Sequence, residues 1–189
     1  MTGGRAWSNL INYALFQSGW FVCVFGAVHE RPWQATTTGM GLVLLHLLLD
    51  RQPRREGKLL ILGFFLGLVI DTFHVQTGVL LFPVGHFHPG LPAGWVLILW
   101  LQFASILHYS LAWLADRYLL GAVLGSIGGA LAYGAGVRVG AASFGADPFR
   151  CLVQIGLSWG MAMIILLWAA GKTAPLEGGS VYRLFQRGT

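Results

Sequence analysis

Charge is what this sequence has least of. Acidic and basic residues together make up 10% of its 189 residues, and only seven are acidic. Soluble domains carry roughly 25% charged residues, so a water-soluble enzyme or carrier of this length is excluded. Cysteine is scarce as well. Cys23 and Cys151 fall inside or at the edge of apolar runs, which reads as reduced packing residues and not as a disulfide framework. The common catalytic signatures are missing: no Gly-x-Ser-x-Gly elbow, no His-Glu-x-x-His helix, no phosphate-binding glycine loop and no multi-histidine box. Nor is a cleavable signal peptide expected, because the first apolar stretch is too long and no small-residue cleavage site follows it.

What is present is apolar sequence in long runs. Hydrophobic residues make up 56% of the chain, and they fall in stretches at 10–28, 33–49, 59–82, 95–114, 119–142 and 151–170. Each is near the ~20 residues that a helix needs to cross hydrocarbon. Apolarity on all faces suits a helix in lipid; strand alternation and a single amphipathic stripe do not fit. The expected fold is an all-α, polytopic membrane helix bundle with about six transmembrane helices and both termini cytoplasmic. Residues 1–171 would form one membrane domain and 172–189 a polar cytoplasmic tail. The breaker-rich loop at 83–94, with Pro83, Gly85, Pro89, Gly90, Pro92 and Gly94, separates the third and fourth runs. The second run, at 17 residues, is the shortest, and a re-entrant hairpin is its alternative reading.

Basic residues set the orientation. Arg5, Arg51, Arg54, Arg55, Lys58, Arg117, Lys172, Arg183 and Arg187 fall on one side, and Arg31, Arg138 and Arg150 on the other. Nine against three is a positive-inside bias, which places the chain as a multi-pass protein of a cytoplasmic (inner) membrane. The formal net charge of +5 therefore speaks of topology, and no nucleic-acid partner is expected. Trp7, Trp20, Trp33, Trp95, Trp113 and Trp168 fall mostly near run ends, as an interfacial aromatic belt does.

Two patterns inside the runs point to packing and to a polar site. Gly121, Gly125 and Gly129 repeat every four residues, Gly136 and Gly140 continue after an offset, and Gly63 and Gly67 do the same in the third run. Such spacing lets another helix approach the backbone closely. Asp71 stands ~18 Å from the inner end of its run, at 1.5 Å per residue, with His74 three residues on along the same face. An ionisable group at that depth costs roughly 2.5–3.5 kcal/mol and needs a partner or a wet cavity. Gln102 at ~20 Å and Tyr133 at ~21 Å are level with it, and Arg138, further out, is placed to reach inward. His108 lies lower, at ~10 Å, near the height of Gln17. Asp71, His74, Gln102, His108, Tyr133 and Arg138 are thus the candidate intramembrane polar pocket. Asn9 and Asn12 lie near the inner interface and are expected to bond within the bundle; His46, near the inner end of the second run, is expected to face the interface. His86 and His88, with His29 in another outer loop, are weak metal candidates without a cysteine or carboxylate beside them. No metal site and no cofactor are expected.

Several blocks together resemble a family of small bacterial inner-membrane proteins, domain of unknown function 2878. They are Asn12 with Phe16-Gln17-Ser18-Gly19-Trp20 and Cys23-Val24, the stretch from Gly67 to Asp71, and Leu99-Trp100-Leu101-Gln102-Phe103-Ala104. Leu107-His108-Tyr109-Ser110-Leu111, Gly128-Gly129, Tyr133-Gly134-Ala135-Gly136 and Gly140-Ala141 complete the set. Where the family pattern continues from Gly-Gly into Pro-Leu, this chain has Ala130-Leu131, so no proline kink is expected there. The resemblance carries no activity. It implies a lipid-related role only through an association with enzymes that modify membrane fatty acids.

Three functions fit these features. One is an accessory or carrier-like protein for a lipid or lipid-derived substrate, with its pocket around Asp71. A second is an integral membrane enzyme using Asp71, His74 and His108 as acid–base groups, and a third is a structural or scaffold subunit. The partners expected are the lipid bilayer and either a second copy of the chain or a membrane enzyme.

Overall fold

The computed structural model describes residues 2–174 and 182–185. The rest of the tail, including Arg187 of the orientation count, lies outside the described residues. Among those described there are six α-helices: α1 Thr2–Val28, α2 Pro32–Leu49, α3 Pro53–Gln76, α4 Gly94–Ser105, α5 Tyr118–Arg138 and α6 Pro148–Thr173. The chain is an all-α helical bundle. Local chemistry sets the helix ends. Pro32, Pro53 and Pro148 occupy first-turn positions, where a missing amide costs nothing. The Asp147 carboxylate caps α6 by accepting from the Arg150 amide at 3.0 Å. Gly78 and Gly140, at φ +69° and +89°, terminate α3 and α5 in Schellman turns, with Val79 N–H donating to His74 O and Ala141 N–H to Gly136 O.

Four helices, α1, α3, α5 and α6, are long and apolar enough to cross a membrane, which makes this a multi-pass membrane protein. α2 has 18 residues, or ~27 Å, and carries Gln34 and three threonines in its first half. α4 departs from the sequence expectation. The fourth apolar run reaches residue 114, but its helix has only 12 residues, about 18 Å. The chain then continues in turns and a short 3-10 segment, Ala112–Leu114.

This break is tolerated because α4 is the inner helix. It packs against α1, α2 and α3, and Trp95, Val96, Leu97, Ile98, Trp100, Leu101, Gln102 and Ala104 are all buried. Irregular backbone at membrane depth survives only where protein covers it and re-satisfies its polar groups. Here i+3 turns do part of that work. Asn12 of α1 does more: its Nδ2 donates to Ser105 O at 3.0 Å, and its Oδ1 accepts from Ser110 Oγ at 2.9 Å. At the opposite end, two short strands, β1 Leu80–Leu81 and β2 Ser143–Phe144, pair antiparallel with Leu80 opposite Phe144. They tie the α3–α4 loop to the α5–α6 loop.

α5 and α6 lie together along a seam of small residues. A methyl built on Gly121 meets Leu167, one on Gly125 meets Met163, and one on Gly129 meets Trp159. The three partners recede four residues at a time on α6, as an antiparallel pair requires. α6 reciprocates with Gly156 and Gly160 against the Ser126 and Ala122 backbone. The two later glycines of the sequence pattern act differently. Gly136 has open space where its Cβ would be, and Gly140 ends the helix through its positive φ. Cys23 and Cys151 are buried thiols.

Gly129→Ala should therefore lower the thermal unfolding midpoint in detergent by the equivalent of roughly 1–3 kcal/mol, the usual cost of overpacking. Gly128→Ala, one residue away where a methyl meets nothing, should leave it unchanged. Equal behaviour of the two variants would contradict this packing.

Candidate functional site

Asp71 is fully buried, and its carboxylate is held from two other helices. The Trp100 indole Nε1–H donates to Oδ2 at 2.7 Å. The Tyr133 hydroxyl lies 2.7 Å from Oδ1 and 2.8 Å from Oδ2. α3, α4 and α5 thus meet at one acid. Glycines one turn earlier make room for this. Gly67 stands four residues before Asp71, and a methyl on it would overlap the Trp100 indole. Gly129 stands four residues before Tyr133 and is covered by the Trp159 indole. The two indoles stack, with centroids 4.3 Å apart and planes at 15°.

Beside this stack lies a cavity of about 290 Å³, walled by Trp20, Trp95, Trp100, Phe103, Tyr133 and Trp159 together with the small residues of α5 from Gly125 to Gly136. The wall is almost wholly apolar. Asp71 is not part of it; its partners Trp100 and Tyr133 are. Trp95 Nε1 is a buried donor without an acceptor, whereas the Trp159 indole interacts with Tyr133. Buried polar groups are normally paired, so each such orphan needs a reason.

The six residues expected to share one pocket are distributed over several places. Asp71 and Tyr133 are bonded to each other. His74 is buried near Asp71 on α3, but its Nδ1 lies 3.3 Å from Gln154 Nε2 of α6, which also donates to Thr77 Oγ1, and its Nε2 has no partner. Gln102 faces α1 and α2: its Nε2 donates to Gly39 O at 3.2 Å, and Gly19 leaves room for its amide. Arg138 is exposed and makes no ion pair with Asp71; being in the last turn of α5, it lies beyond the helix level where Tyr133 meets the acid. His108 belongs to a separate cluster at the other end of the bundle, because the irregular segment after α4 carries it away from the helix axis.

That cluster centres on Glu56, in the first turn of α3. Its Oε1 is 2.9 Å from His46 Nε2, and its Oε2 is 2.6 Å from His108 Nδ1. His108 Nε2 donates to Ala170 O at 3.0 Å. Since that carbonyl can only accept, Nε2 carries a hydrogen, and Nδ1 carries a second one that it donates to the Glu56 carboxylate. His46 Nδ1 meets the Tyr182 hydroxyl at 2.8 Å, so His46 is inside the protein and not at the interface. Asp50 accepts from Tyr109 Oη and from the Gln52 amide. Tyr182, from the chain's tail, is fully buried; its amide donates to Ser8 Oγ, and burial pushes its hydroxyl above the usual phenol range. The tail is thus not wholly a polar appendage.

Glu56, Asp50, Tyr109, Tyr182, Trp100 and Trp159 were not singled out by sequence. Glu56 sits in a run of loop charges and reads as solvated. Trp100 and Trp159 read as apolar. A usable signal did exist for the first site: Gly67 and Asp71, like Gly129 and Tyr133, are spaced four apart, a notch followed by a polar group on one helix face.

Removing Asp71 leaves two buried donors without an acceptor, at about 1–3 kcal/mol each. Asp71→Ala should cost roughly 2–5 kcal/mol in unfolding measurements in detergent, and Tyr133→Phe roughly 1–3. The double variant should fall short of their sum by at least about 0.5 kcal/mol, because both remove the same bond; additive losses would show that the two side chains do not interact.

No curated protein and no solved structure matches the chain. A family profile matches residues 9–165, which covers most of the bundle and both polar clusters except Ser8, Ala170 and Tyr182, and the chain belongs to the family described as "Protein of unknown function (DUF2878)".

Proposed function

We propose that this chain is an accessory or carrier-like protein that binds an acyl lipid, or a molecule derived from one, in the cavity between α1, α4, α5 and α6. The observation that carries this is an apolar cavity walled by aromatic rings and opened by the small residues of α5. A cavity of this lining offers water almost nothing, while about 290 Å³ is near the lower end of small-molecule sites. Its α5 wall, from Leu124 to Gly136, runs ~18 Å at 1.5 Å per residue, a shape suited to an extended chain. The Asp71–Tyr133–Trp100 bonds hold the wall rigid, so that the cavity persists when empty.

The same reading places the protein in a bacterial inner membrane with six crossings and both ends cytoplasmic, on the strength of the nine-to-three division of basic residues. A membrane enzyme acting on acyl chains is the partner class that such a binder would serve.

Gly128 lines the cavity, and a Cβ there meets nothing, so Gly128→Phe fills the space without moving backbone. The test is mass spectrometry of lipid extracted from purified protein after exhaustive detergent exchange. Wild type should retain an acyl lipid, and Gly128→Phe should retain at least about tenfold less at equal thermal stability. Equal retention by both proteins, or none by wild type, would refute the assignment.

A further inference from the structure

Apart from the cavity, the structure holds a second constellation with ligand chemistry: His46, Asp50 and Glu56 at the inner end. We propose that these three side chains form a binding site for a divalent first-row transition metal. One imidazole nitrogen and carboxylate oxygens from the two acids all lie within 4.8 Å of one another, and the residues are 2%, 4% and 2% exposed. His46 and Asp50 are four residues apart across the end of α2, so both project from one helix face. Glu56 comes from the first turn of α3, directly across the short α2–α3 connection.

Two carboxylates so close in a dry interior repel each other, and a cation between them removes that cost. Other groups are already placed as metal sites place their outer partners, each holding the far side of a ligand. The Tyr182 hydroxyl meets His46 Nδ1, which leaves Nε2 for the ion. His108 Nδ1 holds Glu56 Oε2, which leaves Oε1. The Tyr109 hydroxyl and the Gln52 amide orient Asp50, whose oxygens each keep a lone pair. An ion would take the place of the proton between His46 Nε2 and Glu56 Oε1. One nitrogen with two carboxylates suits zinc, manganese or ferrous iron better than magnesium or calcium, which prefer all-oxygen sets, or copper(I), which prefers sulfur.

His86 and His88, the pair suggested by sequence, are poorly arranged by comparison. His88 Nδ1 accepts from the Gly90 amide, and His86 sits in an isolated bridge to Ala93.

The site is tested on full-length protein in detergent, stripped with chelator, incubated with zinc or cobalt(II), desalted, and assayed by elemental analysis and by cobalt d–d absorption. Wild type should hold about one ion per chain. The exposed-loop double variant His86→Ala/His88→Ala should hold the same, while Glu56→Gln and Asp50→Asn should each weaken binding at least about tenfold. Folded wild type that retains no metal would overturn the proposal, whatever the variants do. So would loss of the ion in the His86/His88 variant, or wild-type affinity in both carboxylate variants. Lipid retention is read separately, so failure of this site leaves the cavity reading intact.

Discussion

Hydrocarbon offers no hydrogen bonds, and Asp71 lies deep in a helix surrounded by it. Its oxygens must be satisfied by protein, and in this chain they are satisfied from α4 and α5 at once, by Trp100 and Tyr133. Much of that half of the bundle follows from that requirement. An indole can reach the acid only if α3 is notched at Gly67, and Tyr133 can reach it only if α5 comes close to α6 at Gly129. The paired notches bring the Trp100 and Trp159 rings into a stack. α5 then cannot close fully on α1 and α4, and the space left between them is the cavity. A polar residue that seemed to mark a wet pocket therefore works as the tie behind a dry one.

The opposite end obeys the same rule with different groups. The Ser105 carbonyl, released by the early end of α4, is paired by Asn12, whose own amide oxygen accepts from Ser110, and the cluster around Glu56 draws on α1, α2, α3, α6, the segment after α4 and the tail. Most of its side-chain bonds cross from one element to another. That makes the cluster a lock on the relative placement of the helices, whichever ion or proton occupies its centre.

How much of this could be read from sequence depends on range. Helix number and approximate extent were legible, because apolar runs near 20 residues admit few other structures and Pro32, Pro53 and Pro148 mark starts. The α5 seam was legible at Gly121, Gly125 and Gly129, whose spacing is a local property of one helix. It was not legible at Gly136 and Gly140: Gly136 lines the cavity, where a Cβ meets nothing, and Gly140 ends the helix. Depth placed Asp71 and Tyr133 at one level, and they do meet. Depth also placed Gln102 there, and it does not, since height along a helix says nothing about azimuth; Arg138, expected to reach inward from further out, stays exposed. Glu56 was the costliest omission: five charged residues surround it between Asp50 and Lys58, and only the fold shows that it alone, with Asp50, turns inward.

The early end of α4 is what separates the two sites. In a continuous helix His108 and Leu111, three residues apart, would share a face, so an imidazole would enter the apolar cavity or a leucine the polar cluster. The turns at 106–111 break that relation. His108 and Tyr109 face Glu56 and Asp50, while Leu111 and Leu114 line the cavity. A fourth run with ample apolarity to continue as helix is thus interrupted because its two faces serve incompatible surroundings. The buried hydrogen bond from Asn12 to Ser105 O offsets part of the lost ladder. Irregular backbone within a membrane is expensive, and in this chain it stands where one short segment must present imidazole to one site and hydrocarbon to another.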